Sequence, residues 1–83
     1  MYIVYAIYNQ KQVRVYIGQT RDLQDRIRMH NDNSFAKSYT ARFDGEWRLI
    51  YQEGVSDRRA ALLREKQLKS FRGREFVKQH IPR

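Results

Sequence analysis

Residues 16–23 read YIGQTRDL, and this short stretch decides the fold because it joins a strand to a helix. The β-branched and aromatic run from Val13 to Ile17 is typical of a strand, which we expect to stop at Gly18. Asp22 can then accept hydrogen bonds from the free amides of a helix that runs to about His30. The stretch therefore predicts a strand, a tight connection and a short helix in immediate succession.

A second strand is predicted just before this stretch, over Tyr2 to Tyr8. Its residues alternate between two faces, with Ile3, Tyr5 and Ile7 on one and Val4, Ala6 and Tyr8 on the other. Only a few polar residues, from Asn9 to Gln12, separate it from the next strand. Two strands this close in sequence predict an antiparallel hairpin.

The rest of the chain predicts a third strand and a second helix. Residues 31–46 are polar and irregular, and the strand follows from Trp47 to Glu53, with Trp47, Leu49 and Tyr51 on one face. Ser56 is placed to cap a helix through about Phe71, which ends near Gly73. A last short helix is expected from Arg74 to His80.

The predicted order is β-β-α-β-α with an extra C-terminal helix. This order indicates an α+β fold, in which helices flank a small three-stranded antiparallel sheet. The chain has 83 residues, so we expect a single domain over residues 1–83.

Composition excludes several classes of protein. The chain has no cysteine and only two histidines, His30 and His80, which excludes a disulfide scaffold, a thiolate zinc site and a histidine-rich metal cage. It has no apolar run of about 18 residues that could span a membrane, and its first residues lack the basic segment of a signal peptide. We expect a cytoplasmic protein with no membrane partner and no small-molecule organic cofactor. Its oligomeric state stays open.

Positive charge is concentrated near the C-terminus. The 17 basic and 9 acidic residues give a net charge of +8. Residues 58–83 hold nine basic and two acidic side chains, a net of +7, which leaves +1 for residues 1–57. Such clustering favours a polyanionic partner, and therefore a nucleic acid, with association with the nucleoid as a possible location. The alternative is an ordinary solvated helix face.

Polar residues interrupt the predicted apolar faces. Arg26 and His30 lie four residues apart on the first helix and flank its apolar stripe, and Glu65 falls within the apolar arc of the second helix. Tyr5 and Tyr16 lie on adjacent strands. Each has an ordinary explanation: a solvated Arg26 head group, a hydrogen-bonded core histidine, and an ion pair between Glu65 and a basic neighbour. Their convergence at one sheet surface would instead indicate a catalytic site.

These residues together resemble the GIY-YIG endonuclease family, in its small single-domain form. The family has two short signatures, Gly-Ile-Tyr and Tyr-Ile-Gly. Residues 16–18, YIG, match the second signature, whereas residues 3–5, IVY, stand where the first would be and keep only its tyrosine. The stretch from Tyr16 to Leu23, followed by Arg26 and His30, resembles the core of the family. Glu65 lies in a segment that resembles the helix with the metal-binding glutamate.

The resemblance implies a role for each of these residues. Glu65 would hold one Mg²⁺ or Mn²⁺ ion, and Arg26 would stabilise charge on the phosphoryl oxygens. Tyr5 or Tyr16 would activate the attacking water; we favour Tyr5, with His30 relaying the proton. Gly18 would let the chain turn closely beside the site. Composition adds three further candidates for DNA contacts, which are Arg42, Arg64 and Lys69. Several family members have an asparagine after the glutamate, which this chain lacks.

Two functions follow as hypotheses. The first is a metal-dependent endonuclease that hydrolyses DNA phosphodiester bonds, directed by branched, damaged or single-stranded structure, in DNA repair or recombination. The second is a nucleic-acid-binding module whose nuclease site is vestigial. The second would also account for the basic C-terminal region and the missing asparagine.

Overall fold

The computed structural model describes residues 1–31 and 45–82, and within them the chain forms three strands and three helices. In chain order these are β1 (Tyr2–Asn9), β2 (Arg14–Thr20), α1 (Leu23–Asn31), β3 (Trp47–Val55), α2 (Arg58–Lys69) and α3 (Phe71–Lys78). The predicted α+β class, the element order and the extra C-terminal helix are confirmed. None of the helices in these residues is long and apolar enough to cross a membrane.

The sheet has the order β2-β1-β3, and both pairings are antiparallel. In the β1–β2 hairpin, Tyr5 lies opposite Gly18 and Ile7 lies opposite Tyr16. The prediction that Gly18 stops the second strand is wrong, because β2 continues through it to Thr20. Val13 belongs to the turn, with a left-handed φ of 54°.

A β-bulge in β3 changes which of its residues share a face. Leu49 pairs with Ile7 but Tyr51 pairs with Ala6, so Ile50 is an extra residue in the ladder. Trp47 and Leu49 consequently pack on one face of the sheet and Tyr51 packs on the other. The prediction that these three residues share a face is therefore wrong for Tyr51.

Each face of the sheet has its own core. Cross-strand alternation puts Tyr5 and Ile7 with Trp47 beneath α1. The opposite face is covered by α2 and α3, and its buried residues are Val4, Ala6, Ile17, Ala61, Leu68 and Val77. The predicted separation of Ile3, Tyr5 and Ile7 from Val4 and Ala6 is confirmed.

The helix ends follow from local hydrogen bonds. Asp22 Oδ1 accepts from the amide of Asp25, as predicted, and α1 ends at Asn31 rather than His30. The cap of α2 is Asp57, whose Oδ1 accepts from the amide of Ala60 at 2.8 Å, so the prediction of Ser56 is wrong by one residue. Helix α2 ends at Lys69 because Ser70 starts α3, where its Oγ accepts from the amide of Gly73.

Gly73 is therefore part of α3 and does not terminate α2. A β-carbon at this position would overlap the carbonyl oxygen of Gln67 and come within 2.5 Å of Leu68 Cα. The two helices approach this closely only because residue 73 has no side chain. The glycine thus fixes the corner that holds α3 against α2.

Candidate active site

A hydrogen bond between Tyr5 and His30 lies at the centre of the site. Tyr5 comes from the middle of β1, and His30 from the last turn of α1, which crosses the same face of the sheet. Tyr5 Oη and His30 Nε2 are 2.9 Å apart. Tyr5 is 1% exposed and His30 is 3% exposed, so this pair is shielded from bulk water.

Tyr16 packs beside this pair in a three-ring cluster. Its ring centroid lies 4.9 Å from that of His30 and 6.3 Å from that of Tyr5. Tyr16 is half-buried and is the more accessible of the two tyrosines. The structure thus brings together both signature tyrosines and the histidine of α1.

Gly18 provides the space in which the two tyrosine rings meet. A β-carbon on Gly18 would lie 2.9 Å from Tyr5 Oη and 3.0 Å from Tyr16 Cε1, closer than real side chains approach. Gly18 lies within a regular strand and has no left-handed φ. Its expected role in turning the chain is therefore wrong; the glycine is needed for clearance.

Burial decides the protonation states at neutral pH. Burial and the proximity of Tyr16 raise the pKa of Tyr5, although Arg26 opposes the rise. Burial and the charge of Glu65 also raise the pKa of Tyr16. Burial, assisted by Arg26, lowers the pKa of His30 to about 4. Both phenols are therefore protonated at pH 7, and the imidazole is neutral.

Arg26 and Glu65 bring opposite charges to the tyrosines from two different helices. Arg26 lies on α1 one turn before His30 and is partly buried, and its charge favours the phenolate forms of both tyrosines. Glu65 lies on α2, on the other side of the sheet, and its charge disfavours them. The charges of two helices on opposite faces of the sheet therefore act on the same pair of tyrosines.

Glu65 makes the ion pair that was the ordinary alternative for it. Lys69 Nζ lies 3.3 Å from Glu65 Oε2, one helical turn further along α2. The Glu65 side chain is 22% exposed, and Lys69 binds it from the solvent side at roughly half exposure. The carboxylate is thus partly neutralised by a lysine that is itself half-exposed to solvent.

The donor set around Glu65 suits a hard divalent cation. No group of three or more His, Cys, Asp or Glu residues comes together in residues 1–31 and 45–82. A single carboxylate, completed by water and substrate oxygens, fits Mg²⁺ or Mn²⁺, which bind through one or two carboxylates and phosphates. It does not fit structural zinc, which needs four protein ligands.

The three candidate DNA contacts have different surroundings. Arg64 Nε contacts Glu53 Oε1 of β3 at 2.5 Å, and this hydrogen bond raises the pKa of Arg64. Arg64 therefore faces β3, whereas Lys69 lies towards β2. Arg42 lies outside the described residues.

Asn31 is a positioning residue that sequence reasoning missed. Its Oδ1 accepts from the Trp47 amide at 2.7 Å, and its Nδ2 donates to the Trp47 carbonyl oxygen at 3.1 Å. These two hydrogen bonds attach the end of α1, and with it His30, to the start of β3. The sequence offered no signal, since Asn31 opens a run of polar residues typical of a loop.

Comparison with known proteins agrees with this geometry. The family model described as the GIY-YIG catalytic domain matches residues 1–77. The chain belongs to the GIY-YIG family. It therefore carries a nuclease-type catalytic domain, and the resemblance carried by residues 16–23 is confirmed.

A solved structure is similar over nearly the whole chain. It is the solution NMR structure of a UPF0213 protein from Bacillus halodurans, with 26% sequence identity and a TM-score of 0.54. The alignment covers 95% of this chain and 84% of the Bacillus protein. The search of curated proteins found no match.

Proposed function

We propose that this GIY-YIG protein is a divalent-metal-dependent endonuclease that hydrolyses DNA phosphodiester bonds. The observation that carries the proposal is the 2.9 Å hydrogen bond between Tyr5 and a neutral His30, beside Tyr16 and within the field of Arg26. A nuclease must activate water next to a phosphate, and this pair combines a hydroxyl with an unprotonated imidazole. The family match and the basic C-terminal region support DNA as the substrate.

The Tyr5–His30 pair can move a proton without forming a free phenolate. As a water molecule attacks phosphorus, the Tyr5 oxygen takes its proton while the phenol passes its own proton to His30 Nε2. The low pKa of His30 keeps the imidazole unprotonated and ready to accept. This concerted transfer avoids the phenolate that burial makes costly at Tyr5. Tyr5 is therefore the base that we favour, and the more exposed Tyr16 orients the substrate or the water.

Arg26 and Glu65 act on the phosphate that is cut. A new bond forms between the water oxygen and phosphorus, and the bond from phosphorus to the leaving sugar oxygen breaks. Arg26 stabilises the negative charge that grows on the phosphoryl oxygens during this exchange. Glu65 holds the divalent cation, which when bound supplies Lewis-acid polarisation of the phosphate and of the leaving oxygen. Lys69 releases Glu65 and turns to a substrate phosphate.

The surface around this site is small, so we expect cutting to depend on DNA structure rather than on a long sequence. A single module of this size buries about 600–1,000 Å² on DNA. Branched, damaged or single-stranded DNA, as found in repair and recombination, offers distorted phosphates that a small site can reach. Cytoplasmic and nucleoid-associated location would follow from such a substrate.

Cutting of a labelled DNA panel tests the proposal. The panel contains single strands, duplexes, flaps and branched junctions, each with Mg²⁺, Mn²⁺ or EDTA. We expect metal-dependent cutting that falls at least about 100-fold in Glu65→Gln, Arg26→Ala and Tyr5→Phe. Lys66→Ala is the matched control, because Lys66 is an exposed residue next to Glu65 in α2. Thermal melting verifies that each variant is folded.

The ion pair of Glu65 with Lys69 favours one other function, a non-catalytic nucleic-acid-binding module. In that case Lys69 permanently neutralises a vestigial carboxylate. Folded wild-type protein would then bind DNA in a salt-sensitive way but cut none of the panel, and Glu65→Gln would leave the binding unchanged. That result would replace the nuclease proposal.

A further inference from the structure

A basic groove runs along the edge of the hairpin, next to the site. Its volume is about 560 Å³. Its floor is formed by β2 and the preceding turn, and its wall is formed by α2 and α3. Four cationic side chains line it, which are Arg14, Lys69, Arg74 and Lys78.

The groove is continuous with the candidate active site through two residues. Tyr16 contributes to its lining and also packs against His30. Lys69 contributes to its lining and also pairs with Glu65. A ligand in the groove therefore lies beside Tyr16 of β2 and beside the lysine that pairs with Glu65.

The lining of the groove matches a single nucleic-acid strand. Four cations line it and suit a run of phosphates, and the apolar side chains of Val13 and Val15 on its floor suit the faces of bases. Pockets of about 300–1,000 Å³ enclose drug-sized molecules, so this volume holds one or two nucleotides and no duplex. Acidic residues do not contribute to the lining that residues 1–31 and 45–82 provide.

Val13 lies in the hairpin turn that forms one end of the groove. Its φ of 54° lies in the left-handed region, which is strained for a β-branched residue. Its apolar side chain is nonetheless 74% exposed, so packing within the protein does not offset the strain. The exposed apolar side chain of Val13 is thus accessible to a ligand in the groove.

We propose that this groove binds the single-stranded DNA segment that adjoins the phosphodiester bond to be cut. The inference rests on the proposed function for the identity of the nucleic acid, and it adds the part of the substrate that the protein holds. It implies that the protein prefers DNA in which a single strand emerges from a duplex. The groove then directs that strand past Tyr16.

Binding in EDTA tests the groove separately from cutting. We would measure fluorescence anisotropy of a labelled single-stranded ten-nucleotide DNA and of a blunt hairpin duplex, over a range of NaCl concentrations. In the double variant Arg74→Ala/Lys78→Ala we expect the affinity for the single strand to fall at least about tenfold. The slope of log K against log[salt] should become shallower by about 1.4, for two phosphate contacts at about 0.7 each.

The double variant Arg58→Ala/Arg59→Ala is the matched control. It removes the same charge from the exposed first turn of α2, outside the groove. It should weaken single-strand binding much less than the groove variant, and both should affect the duplex alike. Equal losses in the two double variants would overturn the proposal, as would tighter, groove-dependent binding of an RNA of the same sequence.

Val13→Gly distinguishes binding from folding. Glycine accepts a left-handed φ, so we expect the melting temperature to rise by a few degrees. The same variant should bind the single strand several-fold more weakly, because it loses the exposed apolar contact. A more stable protein with unchanged single-strand binding would exclude Val13 from the groove's function and overturn the proposal.

The two proposals fail in different ways. If no DNA is cut but single-strand binding depends on Arg74 and Lys78, the nuclease proposal fails and the groove proposal stands. If wild-type protein cuts DNA and the groove variants retain full affinity for the single strand, the groove proposal fails and the nuclease proposal stands.

Discussion

The two faces of the sheet bury different kinds of side chain. The face under α2 and α3 is a conventional core of aliphatic residues, from Val4 and Ala6 on β1 to Leu68 on α2. The face under α1 buries Tyr5 and His30, whose polar atoms are hydrogen-bonded to each other. The same strand, β1, supplies both faces through simple alternation of its residues.

This difference suggests that one face mainly stabilises the fold and the other holds the candidate catalytic pair. The aliphatic face makes no demand on protonation or polar geometry, so it can stabilise the fold at any pH. On the α1 face, burial both holds Tyr5 and His30 together and moves the pKa of each away from its ordinary value. We therefore expect substitutions on the two faces to have different signatures.

The largest effect on stability is expected from Gly73→Ala, at the corner between α2 and α3. The new β-carbon would meet the backbone of Gln67 and Leu68, which cannot move aside as a side chain would. We expect a loss of about 3 kcal/mol in the free energy of unfolding, measured by urea denaturation. The Tyr5–His30 pair lies on the other face and should stay intact, so any loss of cutting per folded molecule should come from Glu65, which shares α2 with the displaced backbone.

Gly54→Ala is the control for that variant. Its β-carbon would meet only the flexible end of the Met1 side chain, so it should be nearly neutral. A Gly73→Ala protein as stable as Gly54→Ala would contradict the packing at the helix corner. It would also remove the reason for assigning stability to this face.

Gly18→Ala, on the α1 face, should lower activity as well as stability. The new β-carbon would push on Tyr5 Oη and Tyr16 Cε1, and so would break the hydrogen bond to His30. We expect a loss of about 2–3 kcal/mol in stability and at least a tenfold fall in cutting by the folded fraction. Full activity in a folded Gly18→Ala protein would show that the ring cluster is not needed for the reaction.

Stability should depend on pH through His30. Burial holds the pKa of His30 at about 4 in the folded protein, whereas an exposed histidine has a pKa of about 6.5, so between these pH values the unfolded chain binds more protons. The free energy of unfolding should therefore fall as the pH falls, by about 2 kcal/mol between about pH 7 and pH 5 from this residue.

Urea denaturation of wild type and His30→Gln at several pH values measures that contribution. The variant cannot gain the proton, so its stability should change less over the same window, whatever the carboxylates add at lower pH. Parallel curves for the two proteins would mean that His30 is accessible to water. The contrast between the two faces would then rest on polarity alone.

Much of the fold could be predicted from the sequence, because it depends on local patterns. Alternation in β1 and the Asp22 cap needed only neighbouring residues, and they were correct. The face of Tyr51 was wrong because a bulge at Ile50 changes the alternation, and the bulge arises from pairing with β1. The end of α2 was wrong because Gly73 was interpreted as a stop signal, whereas it serves contact between two helices.

The candidate site was likewise predictable in part. The residue types at Tyr5, Tyr16 and His30 indicated the site, and the structure brings them together. Their protonation states could not be predicted, because those depend on burial beneath α1. The sequence indicated Arg74 and Lys78 only as part of the positive charge of residues 58–83. Their position in a groove could not be predicted, because the groove forms between β2 and two helices that are distant in sequence.

The smallest effect is expected at Asn31, which attaches the end of α1 to β3. Asn31→Ala loses two hydrogen bonds to Trp47 and should cost about 1 kcal/mol in the free energy of unfolding. Because His30 precedes it directly, the imidazole should also move away from Tyr5 Oη. We expect cutting at saturating DNA to fall several-fold with little change in DNA affinity, a split that lost stability alone would not produce. NMR of the His30 ring resonances should show the displacement, and unchanged resonances with reduced cutting would mean that Asn31 does not act through His30.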